Sequence, residues 1–129
     1  MNYKGVIIEE SLEDKSVLDE VKIVSTKVEK VTEKHRTPWL EKWTIYTVEI
    51  PEEAGERIAK ILSESLEKKN SWYADFKNEK YHFIIFRNKV FKVDLDDPIL
   101  YKGAKTYGIS IGIPEYQVDF VPEDEIWER

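Results

Sequence analysis

The hydrophobic positions along the chain change period several times, and each change marks an element. "YKGVIIEES" opens with a short apolar run centred on Val6, Ile7 and Ile8, which predicts a strand. In "VLDEVKIVSTKVEKVTE" the β-branched residues alternate at Val24, Thr26 and Val28, with Ser25, Lys27 and Glu29 between them. A period of two predicts a strand whose valines face a core and whose polar residues face outward. A helical turn near Ser16 to Asp19 precedes it. "WTIYTVEI" alternates again at Tyr46, Val48 and Ile50 and makes a natural partner. Between the two strands, "KHRTPWLE" must leave regular structure at Pro38.

The period then lengthens. Ala54, Ile58, Ile61, Leu62, Ser65 and Leu66 form a stripe at helical spacing. Pro51 suits a first helical position, and Glu52 and Glu53 complement the positive end of the dipole. Lys68 and Lys69 complement the other end and Asn70 can close it, so the helix is expected over about 51–69. It covers a sheet that needs something apolar laid across it.

"SWYADFKNEKYHFIIFRNKVFKV", residues 71–93, reads as three strands in succession. A two-residue turn at Asn78-Glu79 sets Asp75 opposite His82 and sorts the side chains onto two faces. One face collects Trp72, Ala74, Phe76, Tyr81, Phe83 and Ile85. The other holds Tyr73, Asp75, His82, Ile84 and Phe86. A second turn at Asn88-Lys89 sets Phe86 against Phe91 and Ile84 against Val93.

"DLDDPILYKGAKTYG" predicts a second helix over about 98–107, capped by Asp97, opened by Pro98 and ended by Gly108. "ISIGIPEYQVDF" returns to extended chain with Ile109, Ile111 and Ile113 alternating. This order of elements is not the regular alternation of a parallel sheet. It predicts an α+β fold, a mainly antiparallel sheet of about 5–7 strands with two helices, as one domain over residues 1–129.

Composition narrows the possibilities. With 129 residues, 41% hydrophobic and 12% aromatic, the chain has material for a core. No apolar run reaches the length of a membrane span and no leader pattern opens the chain, so no membrane partner is expected. There is no cysteine, so disulfides and thiolate chemistry are excluded and the expected location is cytoplasmic. The net charge of −6, from 26 acidic and 20 basic residues, is a poor footprint for a nucleic-acid binder. With two histidines and no cysteine, no metal site is expected, and no motif calls for a cofactor.

Three constellations carry candidate chemistry. Asp75 and His82 sit side by side across strands in the predicted register, with Tyr73 one position further along, Lys77 beyond, and Arg87 in the next connection. A carboxylate beside an imidazole raises the histidine's pKa and fixes its tautomer. Such a pair serves as a polar plug at the edge of a core, a ligand-orienting pair, or a catalytic dyad, and the plug is favoured. No Gly-x-Ser-x-Gly elbow or Gly-rich phosphate loop accompanies it. "EKHRTPWLEKW" joins Lys34, His35 and Arg36 to Trp39 and Trp43; such a loop can bind anions or stack on bases, but with an acidic net charge it is favoured as a core anchor or part of a subunit interface. In "GIPEYQVDF", Glu115, Gln117 and Asp119 alternate with Tyr116, Val118 and Phe120 and face either solvent, the favoured reading, or a cleft.

At "WYADFKN", "YHFIIFRNKVF", "YGISIGIPEYQVDF" and "HRTPWLEKWTIYTVEIP" the chain resembles a group of small stand-alone prokaryotic proteins of roughly this length, without an assigned activity. The resemblance implies a complete small domain and carries over no function. Two functional expectations follow from the residues themselves. One is a non-enzymatic binding or interaction module, partnered with itself as a homodimer or with a small-molecule ligand. The alternative is a small hydrolase acting on an anionic substrate, with His82 as general base, Asp75 orienting it, and Tyr73 or Lys77 holding the anion.

Overall fold

A computed structural model of the protein describes residues 1–31, 40–68, 72–97 and 99–113. Among the described residues six strands form one antiparallel sheet: β1 (Tyr3–Ile8), β2 (Lys22–Lys30), β3 (Lys42–Ile50), β4 (Tyr73–Lys77), β5 (Tyr81–Phe86) and β6 (Lys89–Asp94). Their order across the sheet is β2-β3-β1-β4-β5-β6. With two helices, α1 (Gly55–Ser65) and α2 (Leu100–Ser110), the architecture is α+β, as the order of periods predicts.

Strand β1 is the seam. It pairs with β3 from Tyr3↔Ile50 to Ile8↔Ile45, and on its other side with β4 from Lys4↔Lys77 to Val6↔Asp75. The approach of β4 depends on Gly5. A Cβ there would lie 2.0 Å from the Asp75 carbonyl oxygen and 2.4 Å from Phe76 Cβ.

Each face of the β4–β6 half carries a helix. Trp72, Ala74, Phe76, Phe83 and Ile85 pack with Ile58, Ala59, Leu62 and Leu66 of the α1 segment. On the opposite face Tyr73, Ile84, Phe86 and Val93 pack with Ala104 of α2 and with Ile113. Successive side chains of a strand point to opposite faces, so two cores share β4 and β5 between them.

The helix ends differ from expectation. A 3-10 turn (Glu52–Ala54) precedes α1, and the backbone becomes extended at Leu66 (φ −65°, ψ 142°). Lys68 therefore lies past the helix, and Lys69 and Asn70 fall outside the described residues. Leu66 turns away because it and Leu12 form a bridge that ties the chain to the end of β1.

Helix α2 begins later and runs further than its glycines suggest. Gly108 is buried inside it and does not end it. The stop comes at Gly112, which takes φ 97°. There Ile113 N–H donates to the Gly108 carbonyl and Gly112 N–H to the Ile109 carbonyl, a Schellman closure. Ile109 is thus helical and Ile111 caps the end, so neither belongs to an extended segment. At the other end Ile99 holds the cap position, and Pro98 lies outside the described residues. Asp97 belongs to a turn after β6, where its backbone N–H donates to the Asp94 carbonyl.

Strand β2 departs most from its pattern. It pairs with β3 as expected, with a bulge at Val24 between Ile23↔Val48 and Ser25↔Thr47. Yet the valines read as core-facing are bare: Val24 is 54% exposed and Val28 58%, with Ile23 at 41%. Neither α1 nor α2 covers this edge.

Candidate functional site

The predicted polar pair exists, in a different register. Asn78 accepts the backbone N–H groups of Lys80 and Tyr81 on its side-chain oxygen, at 2.8 and 2.9 Å, which lengthens the turn. Lys77 therefore stands opposite His82, and Asp75 opposite Ile84. The slip is by two residues, so every side chain keeps its predicted face. Asp75 and His82 become diagonal neighbours, still within reach of one another.

Asp75 Oδ2 lies 2.9 Å from His82 Nε2, and His82 Nδ1 lies 2.7 Å from the hydroxyl of Tyr101 on α2. The His82 ring is wholly buried and meets the Tyr101 ring edge-on, with centroids 5.5 Å apart. Asp75 is buried as well.

Burial pushes the His82 pKa down, from 6.5 to about 3, and the Lys77 ammonium adds to the fall. This reverses the expected rise. The Asp75 carboxylate is close, but stripping water from an imidazolium in a closed core outweighs it. A neutral ring fixes the proton pattern. Nε2–H donates to Asp75, and Nδ1 accepts from Tyr101, whose own pKa burial raises to about 12. The phenol keeps its proton and donates it along a chain from α2 through β5 to β4.

Such a ring holds elements together. A general base needs a nitrogen facing a substrate, and both His82 nitrogens are engaged inside the fold, with the ring sealed from solvent. The geometry shown is a buried polar pair hydrogen-bonded across β4, β5 and α2.

The remaining candidates separate. Tyr73 is buried on the same face and packs against Phe86, with ring centroids 6.0 Å apart. Lys77 shares that face at the open end of β4 and is only partly buried. Arg87 is elsewhere: it donates to the carbonyls of Leu66 and Glu64 at the end of α1 and pairs with Glu13 at 3.9 Å. It neutralises unpaired carbonyls at a helix C-terminus, which explains its place without a ligand. Glu115, Gln117 and Asp119 lie outside the described residues, as do Lys34, His35, Arg36 and Trp39. Trp43 is buried and packs against Trp72.

Tyr101 was missed by sequence reasoning. Its signal is the spacing of Tyr101, Ala104 and Gly108, one stripe of a helix whose two small residues are buried and whose third member brings a hydroxyl. Among the described residues no group of three or more His, Asp or Glu side chains is placed to hold a metal. No helix among them is long and apolar enough to cross a membrane.

A groove with a volume of about 490 Å³ lies on the α1 face. Helix α1 lines one wall and β6 the other, with Phe83 at the base. Comparisons with protein-family models, with curated proteins and with solved structures found no match to this chain.

Proposed function

We propose that this protein is a non-catalytic interaction module that works as a homodimer, paired through β2. The supporting observation is β2 itself. It is a nine-residue strand at the edge of the sheet, patterned in sequence for one buried face, and Ile23, Val24 and Val28 are all exposed in the single chain. An exposed apolar edge strand is a template for another strand, and two-fold pairing is the common way to cover one.

The make-up of β2 favours a closed pair over an open stack. Lys22, Lys27 and Lys30 lie along the strand, and the bulge at Val24 increases the local twist. Both features discourage continued strand addition. The plug at His82 supports the same reading, since it gives the fold a use for its buried histidine other than catalysis.

Sedimentation velocity at tens of micromolar protein tests this. The expected result is a dimer for the wild type and a monomer with unchanged circular dichroism for the double variant Val24→Glu, Val28→Glu. A wild type that stays monomeric at high micromolar concentration overturns the proposal.

A further inference from the structure

The groove between α1 and β6 has a construction of its own, on the helix-covered face and independent of the β2 edge. Its walls meet at two closed ends. At one end, Asn88 N–H donates to the Ser63 carbonyl at 3.2 Å, and the Ser63 hydroxyl donates to the Phe86 carbonyl at 2.7 Å. This fastens the β5–β6 turn to α1. At the other end, Lys92 pairs with Glu56 at 2.7 Å and lies over the rings of Tyr81 and Phe83. Between these clasps the floor is apolar, formed by Ala59, Phe83 and Val90.

The dimensions suit a small molecule. From Asn88 to Lys92 a strand rises about 13 Å, and from Glu56 to Ser63 a helix rises about 10 Å. A bicyclic aromatic body fits that length, and Phe83 offers it a ring to rest on.

Charge then selects the sign. The Lys60 ammonium stands at the rim, and among the described residues no carboxylate, Glu64 one helical turn on included, lies within ion-pairing distance of it. Lys92 brings a second ammonium, already shared with Glu56. The Asn88 side chain is exposed at the turn end and has no hydrogen bond among the described residues except that of its backbone, leaving its amide available to a ligand oxygen.

We infer that this groove is a binding site for a small amphiphilic anion, with an aromatic body on the Ala59–Phe83–Val90 floor and a carboxylate-type group held by Lys60. The Lys92–Glu56 pair closes one end, and the Asn88 amide reads a polar group at the other. Nothing in the site transfers a group or a proton; the site binds.

The test uses the full chain with 2-naphthoate as probe and 2-naphthylmethylammonium as its charge-inverted control. Titration is followed by the NMR shifts of the Ala59 and Val90 methyls and the Asn88 side-chain amide. The expected result is saturable shifts of those signals with naphthoate at millimolar concentration. Lys60→Glu should weaken binding about tenfold by replacing attraction with repulsion, and the ammonium control should fail to saturate. Val90→Trp, which fills the groove, should abolish the shifts. Because that variant alters packing, Lys60→Glu, at an exposed position, decides the charge dependence. Equal binding of both probes, undiminished binding by Lys60→Glu, shifts confined to β2, or no saturation with naphthoate overturns the proposal.

Discussion

The two halves of the sheet are built from the same alternating pattern and meet different fates. In the β4–β6 half, both faces of the strands are covered, one by α1 and the other by α2, and Ile84, Ile85 and Phe86 are fully buried in succession. In the β2–β3 wing, β3 buries part of its length while β2, with equally regular valines, buries none of its nine residues. Alternation therefore reports which side chains share a face. Whether anything lies over that face depends on how far the helices reach, which is a property of the whole chain.

The largest effect is expected from cutting the seam between the halves. Gly5→Ala places a methyl within 2.0 Å of the Asp75 carbonyl oxygen, a backbone atom that cannot rotate away. The expected loss is about 3 kcal/mol or more, read as a fall in the urea midpoint. A variant as stable as the wild type would mean that β1 and β4 do not meet so closely.

Matched truncations compare the halves directly. Phe86→Ala, in the doubly covered half, should cost about 3–5 kcal/mol, since Phe86 touches Tyr73, Phe91 and Tyr107. Its counterpart on β2, Val28→Ala, should change the stability of the monomer by less than about 0.5 kcal/mol. Equal losses in denaturant titrations at low protein concentration would erase the distinction.

The plug responds to acid. Because the folded pKa of His82 is depressed, the unfolded chain binds a proton that the folded one refuses. Its stability is complete above about pH 6.5 and is lost as pH falls toward 3, with a slope of at most about 1.4 kcal/mol per pH unit. Between about pH 6.5 and 5 this effect is separated from the carboxylates held low by partners, such as Glu9, bonded to Tyr46, and Glu56, bonded to Lys92. Denaturation of the wild type and His82→Gln at both pH values measures it, and parallel curves would show that His82 does not carry the slope.

Within the covered half the smallest effect expected is that of Tyr101→Phe, which removes the proton donated to Nδ1 while keeping the ring. It should cost about 1–3 kcal/mol, the penalty of a buried acceptor left without its donor. Hydrogen exchange in α2 should rise in the same variant, because the bond that ties it to β5 is gone. Unchanged exchange would limit the hydroxyl to a local role.

Much of the fold was legible, and the failures have identifiable causes. The faces of β4 and β5 follow from periodicity even though both hairpin registers differ by two residues from those expected. Periodicity fixes parity, and a slip of two preserves it. The registers themselves depend on turn chemistry: the Asn78 side chain holds a longer loop, and Asn88, at φ 58°, makes Arg87-Asn88 the second turn. The Asp75–His82 contact was legible for the same reason of parity. Its third member was not, because Tyr101 arrives from another element and only the packing of α2 brings it there. The sign of the His82 pKa shift depended on how completely that helix seals the face, which no strand pattern contains.

The place of β1 has a consequence for how the chain acquires its shape. The first of the six strands must wait for both neighbours, since Tyr3 meets Ile50 and Lys4 meets Lys77. The β4–β5–β6 meander closes through short turns and can form without it. Contacts between residues so distant in sequence form late and slow the search. During synthesis β1 is therefore an apolar strand with no partner until β3 has followed. The step that finally joins the halves is its insertion between β3 and β4, with Gly5 leading β4 into place.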